Sequence, residues 1–340
     1  MRKVMLWAAV LALSACGGGG DPGSSGESHP STPTYSAEPV SVGDYFTHRL
    51  TAKQPGYSAE PSYSTSTVRE ARGGSVFVDV GSASLRADSH YDSERRLVKT
   101  TYPEDGGECV TTYSPARVLT LPKRVTVGMS WEQNSVAKTV CPNRTVESTF
   151  VKKTNAEALE SITLPIGTFT AIRTVSSMVV EAATRSVKAD VTCWVDPVLG
   201  VDLKCSATRT TTIKSNGSVT KGTYETELVA YASAKAGRRF DSLSRFAGTW
   251  SGVSRVSGNV DISCKVKVAV DGKFTADCPG WGDKNGSVGQ DGAIEFWVGS
   301  ILHLTDFVGK LESPYQASGT VTMDNSFGAP RKGAWILTHD

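Results

Sequence analysis

The stretch CKVKVAVDGKFTADC, residues 264–278, predicts an antiparallel β-hairpin. Its segment Val270-Asp271-Gly272 is typical of a three-residue loop with Gly272 in the left-handed region. In that register the cysteines face each other, apolar side chains share one side of the ribbon, and charged side chains share the other. A one-residue slip would disrupt both sides at once. The predicted pairs are Cys264 with Cys278, Val266 with Ala276, Val268 with Phe274, Lys265 with Asp277, and Lys267 with Thr275.

A second hairpin is predicted around Asp196-Pro197-Val198-Leu199-Gly200. Asp196 and Asp202 flank this turn, and we expect them to be solvated turn carboxylates. A shared cation is the alternative, although two ligands do not make a site. The predicted pairs are Cys193 with Cys205, Val195 with Leu203, and Trp194 with Lys204.

Residues 1–15 have the features of a bacterial export signal. Two basic residues precede an apolar run at 4–13 that is too short to span a bilayer. The segment Leu13-Ser14-Ala15-Cys16 resembles the lipobox of bacterial lipoproteins, whose cysteine becomes the first mature residue and carries acyl chains. The resemblance implies near-permanent anchoring through Cys16. Gly17, rather than an aspartate, favours the outer membrane of a Gram-negative-type bacterium.

Six cysteines remain once Cys16 is set aside for lipid, and an even number in an exported protein predicts disulfides. The two hairpins account for four of the six, so elimination pairs Cys109 with Cys141. A metal site is the alternative. It is disfavoured because the sequence has no Cys-x-x-Cys and no histidine at ligand spacing from a cysteine.

The folded part of the chain has the pattern of an all-β protein. Short stretches rich in Val, Thr, Ile and Tyr alternate with Gly, Asn, Asp and Pro, as at 75–80, 169–175 and 187–191. Ser215-Asn216-Gly217-Ser218 predicts a two-residue hairpin turn. Residues 155–160 could form at most a turn or two of helix. We therefore expect two antiparallel β-domains, a curved sheet or half-barrel followed by a small barrel or sandwich.

Composition divides the chain into five segments. Residues 16–40 are rich in Gly, Ser, Pro and Thr and have too few apolar side chains to fold, so they predict a disordered tether. The predicted segments are a signal peptide at 1–15, a lipidated flexible tether at 16–40, a curved antiparallel β-domain at 41–234, a linker at 235–245, and a small β-barrel or sandwich at 246–340.

Charge limits the partners that the chain is expected to have. Of 36 basic and 34 acidic residues, Arg2 and Lys3 leave with the signal peptide, so 34 of each sign remain. A balanced chain has no large basic field that would attract nucleic acid. The expected partners are the membrane, through the lipid anchor, and an envelope protein, glycan or lipid. No nucleic acid and no cofactor are expected.

Three elements of the first domain resemble a widespread architecture of secreted bacterial proteins of unknown function. They are VGDYF at 42–46, LPKRVTVGMSW at 121–131, and the pair ITLPIGTF at 162–169 and CWVDPVLGV at 193–201. They are similar to its VGDYW, VGxSW, PAGTF and YWYAPGVGLV-type elements, with departures at Asp196 and Leu199. The resemblance implies a strongly curved antiparallel sheet and brings no catalytic residues.

The second domain resembles the Gly-rich C-terminal β-domains of bacterial lipoproteins. Its Gly248-Thr249-Trp250 is similar to the opening of lipocalin and avidin barrels. Because the domain is short for a lipocalin, we expect side chains to fill its interior.

The sequence contains no recognisable catalytic motif: His-Glu-x-x-His, Gly-x-Ser-x-Gly and P-loop patterns are absent. His29 lies in the tether, and we expect His48, His90, His303 and His339 on polar strand faces. The tryptophans could form a glycan-stacking platform, but core packing is the commoner fate, with a loop residue as the best exception. They are Trp194, Trp250, Trp297, Trp335 and, in the loop, Trp281.

The sequence therefore predicts a cell-envelope lipoprotein with a non-enzymatic binding or structural role. A carrier of a lipid or another apolar ligand is the alternative, with the curved sheet as the cup. A hydrolase with an unrecognised site is the third hypothesis. It requires a concave cluster of histidines and carboxylates with shifted pKa values.

Overall fold

The computed structural model describes residues 33–54, 61–72, 75–82, 85–104, 107–118, 121–122, 124–240, 243–256, 260–279, 282–289, 292–300, 303–311, 316–323 and 331–339. Cys16, His29 and Trp281 lie outside these ranges, as do the predicted signal peptide and most of the predicted tether. Contacts between Cα atoms divide the chain into two compact units. The first holds most residues up to Arg239, and the second holds those from Phe240 together with 62–65 and 81–86.

Strands dominate the described residues, with one short 3-10 helix at Leu243–Phe246. Among these residues no helix has the length and apolar character that a membrane crossing requires. The strands are β1 Thr34–Tyr35, β2 Tyr45–Lys53, β3 Ser62–Arg72, β4 Ser75–Ser82, β5 Leu85–Tyr91, β6 Leu97–Glu104, β7 Gly107–Arg117, β8 Val125–Thr126, β9 Ser130–Cys141, β10 Arg144–Leu164, β11 Gly167–Ala182, β12 Arg185–Asp196, β13 Val201–Ile213, β14 Val219–Ser233, β15 Arg238–Phe240, β16 Gly248–Val256, β17 Val260–Val268, β18 Lys273–Cys278, β19 Gly282–Ser287, β20 Ala293–Ser300, β21 His303–Leu311, β22 Gln316–Met323 and β23 Arg331–His339.

Twelve strands close into an antiparallel barrel, which confirms the all-β prediction. Around the ring they run β13, β12, β11, β10, β9, β7, β6, β5, β4, β3, β2 and β14, and β14 pairs again with β13. The sheet is therefore closed rather than half-open. The short strand β15, which lies in the predicted linker, extends the sheet beside β14, and β1 and β8 form a separate ribbon.

A β-bulge at the second predicted hairpin changes which side chains face the barrel interior. Trp194 pairs with Lys204 as predicted, but Val195 pairs with Asp202. The predicted pair of Val195 with Leu203 is wrong because Leu203 is the extra residue of the bulge. One consequence is that Asp202 turns to the same side of the sheet as Val195, which is fully buried.

Two other segments differ from what their sequence indicates. Residues 155–160 belong to strand β10, because their backbone pairs with β11, with a bulge between Ala156 and Ala158. The turn predicted at Asn216-Gly217 is longer than two residues, since 214–218 connect β13 to β14. Gly217 has a φ of 68°, and its amide donates to the carbonyl of Ile213 at 2.9 Å, which closes this wider turn.

Apolar side chains of the first unit form two buried clusters. The alternation along β10 is clear: Phe150, Thr154 and Ala156 are buried, whereas Lys153 and Asn155 between them are more exposed. The main buried cluster contains Phe46, Val68, Val76, Val78, Val80, Tyr91, Leu97, Leu164, Ile166, Phe169, Ala171, Leu199, Val201, Leu203, Leu228 and Tyr231. A smaller cluster contains Leu121, Val125, Ala156, Ile172 and Val195.

The second unit is a nearly closed eight-stranded sheet in the order β19, β18, β17, β16, β23, β22, β21, β20. Its register at 264–278 confirms the predicted hairpin, with Val266 paired to Ala276 and Lys265 to Asp277. Gly272 has a φ of 80°, the left-handed conformation that the loop requires. The apolar side of the hairpin lies in a contiguous core that also contains Trp250, Trp335 and Phe296.

Two glycines make room for the indole of Trp335 in this core. Gly309 and Gly319 pair across β21 and β22, and Gly319 also pairs with Trp335 on β23. A Cβ atom added at Gly309 would lie 2.3 Å from Trp335 Cζ2, and one added at Gly319 would lie 2.7 Å from Cε2. The indole therefore packs flat over two glycine backbones and donates from Nε1 to the carbonyl of Thr320 at 3.0 Å.

Candidate binding site

His48 brings an imidazole into the barrel interior. It lies on β2, whose pairing with β14 contains a register shift between Leu228 and Ala230. Only 2% of its surface is exposed, so the expectation of a polar strand face is wrong for this histidine. Its Nε2 donates to the backbone carbonyl of Asp202 at 2.7 Å. Burial lowers the pKa of His48 from 6.5 to about 4, so the ring is neutral at pH 7.

Asp202 is the second ionisable group of this interior site. The bulge described above turns its side chain toward the Cys193–Cys205 disulfide, and a carboxylate oxygen and both sulfur atoms lie within 4.8 Å of one another. Burial raises the pKa of Asp202 from 3.8 to about 6, against the smaller opposite effect of Lys152. The disulfide leaves both sulfur atoms without a thiolate, so this group does not hold a metal ion.

Lys152 supplies the positive charge that faces Asp202. It lies on β10 between the buried residues Phe150 and Thr154 on the same side of the strand. Burial lowers the pKa of Lys152, and the charge of Asp202 opposes that effect. Both side chains keep an intermediate solvent exposure, although burial is the main cause of both shifts. Both groups are therefore largely surrounded by protein, although part of each side chain stays accessible.

Three polar atoms of this site have no hydrogen-bond partner among the described residues: His48 Nδ1, Asp202 Oδ1 and Thr226 Oγ1. Thr226 lies on β14, the strand between those that carry the other two, and pairs with Cys205. Because Nε2 of His48 is the donor to a carbonyl, Nδ1 of the neutral ring is an acceptor. The site can therefore take a donor at His48 and at Asp202, and either kind of group at Thr226.

Arg117 presents a second interior cation, at the end of β7. Its guanidinium carbon lies 4.2 Å from the centre of the Phe150 ring and 4.5 Å from that of Tyr113. Burial lowers the pKa of Arg117. Its Nε atom is buried and has no hydrogen-bond partner in the described part of the chain.

The structure brings the predicted cysteine pairs together as Cys109–Cys141, Cys193–Cys205 and Cys264–Cys278. The carboxylate of Glu104 lies against the first of these disulfides and pairs with Arg144 at 2.6 Å. Cys16, the predicted lipidation site, lies outside the described residues.

Asp196 is not the solvated turn carboxylate that the sequence predicts. It is 1% exposed, and Oδ1 accepts from the amides of Val198 at 2.7 Å and Leu199 at 3.0 Å. Its Oδ2 pairs with Arg238 at 2.7 Å. Asp196 therefore holds the turn after β12, whereas Asp202 faces the interior, and the two carboxylates do not share a site.

The predicted aromatic and histidine candidates are dispersed. Trp250 and Trp335 are core residues, and Trp194 donates to Glu160 at 2.8 Å. Trp297 is half-exposed, and the ammonium of Lys284 lies 4.2 Å from its ring centre. His90 stacks on Phe77 with 4.4 Å between ring centres. The structure does not describe the side chains of His303 and His339.

Sequence reasoning missed Lys152, Thr226 and Arg117 as site residues. Each lies in an ordinary alternating stretch. Asp202, which faces Lys152, and Phe150, which contacts Arg117, come from other strands. The alternation along β10 could have placed Lys152 on the buried side, next to Phe150 and Thr154. No local pattern brings Phe150 to Arg117.

No family model and no curated protein matches this chain. Among solved structures, the hypothetical lipoprotein YmcC from Escherichia coli is 12% identical, with a TM-score of 0.31 over 55% of this chain and 85% of that chain. A lipoprotein candidate from Parabacteroides distasonis is 12% identical, with a TM-score of 0.32 over 58% and 99%. A protein of unknown function from Nostoc punctiforme is 8% identical, with a TM-score of 0.20 over 86% and 94%. Likeness at this level carries no argument about function.

Proposed function

We propose that this chain is an exported, lipid-anchored protein of the cell envelope whose closed barrel binds a ligand in its interior and does so without catalysis. The observation that carries the proposal is the set of enclosed polar atoms without partners at His48, Asp202 and Thr226. Buried polar groups are normally hydrogen-bonded, and each one left unpaired costs about 1–3 kcal/mol. A bound molecule or ordered water that pairs with them removes that cost.

The number of strands supports an interior site. Side chains alone can fill a barrel of about eight strands, and wider barrels enclose cavities or channels. This ring has twelve strands. This width is also what favours the second candidate, a carrier of a lipid or another apolar molecule.

Location in the envelope is supported by cysteine chemistry. Three disulfides staple the described residues, and such bonds persist in oxidising compartments outside the cytosol. The lipobox-like sequence before Cys16 supplies the anchor in this proposal, and the outer membrane is the proposed location.

A hydrolase finds less support in this geometry. A hydroxyl nucleophile needs a base within hydrogen-bonding reach. Thr226 is the hydroxyl that lies beside His48, yet neither Thr226 Oγ1 nor His48 Nδ1 has a partner among the described residues. The other ring nitrogen of His48 is occupied by a backbone carbonyl.

Native mass spectrometry of the full chain, purified gently from its own envelope, tests interior binding. We expect the wild-type protein to carry an added mass and Asp202→Asn to lose it. Asp190→Asn, an exposed carboxylate on β12, is the matched control and should keep it. Extraction of the released molecule into organic solvent or water separates an apolar cargo from a polar one. Wild-type protein that stays free of added mass after incubation with an envelope extract would contradict the proposal.

Metabolic labelling with an alkyne fatty acid tests the anchor. The wild-type protein should incorporate the label and sediment with membranes. Cys16→Ser should do neither, whereas Ser25→Ala in the predicted tether should behave as wild type. Equal labelling of Cys16→Ser and the wild type would show that the anchor lies elsewhere.

A further inference from the structure

Arg117 is held between two aromatic rings and has no acceptor among the described residues. The rings of Tyr113 and Phe150 come from β7 and β10. Within the described chain, the guanidinium makes no hydrogen bond and no ion pair. Arginine carries five N–H donors in a fixed planar fork, and its charge persists at any physiological pH.

The missing partner of this guanidinium has a definite chemistry. Cation–π contacts compensate only part of the cost of burying a charge, at about 0.5–2 kcal/mol each. A planar fork is matched by two oxygens of a carboxylate or phosphate, which accept two parallel hydrogen bonds. No described carboxylate reaches Arg117, so such an oxyanion would have to come from outside the described chain.

Several neighbours of Arg117 on its side of the sheet are apolar, and the buried hydroxyl of Ser135 lies on the same side, paired with Phe150. Arg117 pairs with Leu97, which is 1% exposed, and Phe150 pairs with Val180. Val187, next along the same row, is 1% exposed. A ligand that places an oxyanion at the guanidinium therefore has the apolar side chains of Leu97 and Phe150 beside it.

We infer that Arg117 is the headgroup site for a small amphiphile with one oxyanionic group, a carboxylate or a phosphate, bound inside the barrel. This inference rests on the proposed interior binding function and deepens it. The rings of Tyr113 and Phe150 hold the fork in one orientation before the ligand arrives, which lowers the entropic cost of binding.

Calorimetric titration of the full chain with decanoate, decyl phosphate and decanol tests the inference. The three probes have the same alkyl length, and only the first two carry an oxyanion. We expect Arg117→Gln to weaken decanoate or decyl phosphate by about 10- to 100-fold, as for lost hydrogen bonds to a charged group. Arg117→Lys keeps the charge but loses the planar fork, so its affinity for these two probes should lie between those of the wild type and Arg117→Gln. Arg124→Gln, an exposed neighbour, should bind as wild type.

The outcomes separate the inference from the proposed function. Equal affinity of decanol and decanoate, unchanged in Arg117→Gln, overturns the headgroup role and leaves interior binding of apolar molecules standing. If none of the three probes binds the wild-type protein, both the headgroup role of Arg117 and interior binding of amphiphiles of this size are overturned. Circular dichroism and the melting temperature of each variant establish that it is folded before titration.

Discussion

Nε2 of His48 and the backbone oxygen of Asp202 lie 2.7 Å apart, although 154 residues separate them in the chain. This bond fixes the imidazole tautomer, with the proton on Nε2 and a lone pair on Nδ1. It also joins β2 to β13, which are separated in the ring by β14. Folding lowers the pKa of His48 and raises that of Asp202, and this difference can be measured.

The pH dependence of stability should reverse between two variants of this pair. Folding raises the pKa of Asp202 to about 6. The contribution of Asp202 to the free energy of unfolding is therefore greatest below pH 4 and is lost as the pH rises through 6. Folding lowers the pKa of His48 to about 4. The contribution of His48 to the free energy of unfolding is therefore present above pH 6.5 and is lost as the pH falls through 4. Each shift corresponds to about 3 kcal/mol. The two effects oppose each other between pH 4 and 6.

Urea unfolding at a series of pH values checks this expectation. Relative to the wild type, His48→Gln should lose stability as the pH rises from 4 to 6, and Asp202→Asn should gain stability over the same range. His90→Gln, outside the site, is the control and should follow the wild type. The same pH slope in both site variants and the wild type would show that this pair is not coupled to folding.

The two barrel disulfides should differ in their effect on stability. Cys109–Cys141 has a sequence separation of 32, and Cys193–Cys205 has one of 12. Loop-closure entropy predicts that replacing the first pair by alanine costs about 1 kcal/mol more than replacing the second. Denaturant unfolding of the two double variants measures the difference. A larger loss of stability on replacing Cys193 and Cys205 would mean that the packing of this disulfide beside Asp202 contributes more than loop-closure entropy.

Gly319→Ala should destabilise the second unit strongly. The added methyl group would lie 2.2 Å from the carbonyl oxygen of Val308 and 2.7 Å from Trp335, and backbone cannot move aside cheaply. We expect a loss of about 3 kcal/mol, at the upper end for overpacked cores. Tryptophan fluorescence during thermal unfolding reports the change. Thr320→Ala, the exposed neighbour on β22, should stay close to wild type, and an equal effect of both variants would argue against the steric explanation.

Arg117→Met should raise the melting temperature while it removes oxyanion binding. The substitution keeps a long side chain against Phe150 and Tyr113 and removes a charge that no described acceptor pairs. Replacing a buried charge by an apolar side chain of similar volume stabilises by about 1–3 kcal/mol in favourable cases. Arg124→Met should change stability by less than about 0.5 kcal/mol. A lower melting temperature for Arg117→Met would mean that its ring contacts stabilise the barrel by more than burial costs.

Local pattern predicted the all-β class and the 264–278 hairpin, because turn chemistry and alternation agree there. It predicted one strand pair wrongly beside the other hairpin turn, where Leu203 forms a bulge that turn chemistry and alternation do not reveal. The interior site follows from that failure, since Asp202 faces inward only because of the bulge. His48 is a similar case: its partner Asp202 is brought to it by ring closure, and the order of strands in the ring is not written in any single stretch.

The pairing of β14 with β13 completes the ring of hydrogen bonds. In a closed ring every strand has hydrogen-bonded neighbours on both sides, so admitting a molecule through the wall would break inter-strand hydrogen bonds. Any ligand of the interior must enter and leave through one of the two ends of the barrel. The rate of exchange is then governed by the loops at those ends, while affinity is governed by residues deep within, so the two properties can be changed by separate substitutions.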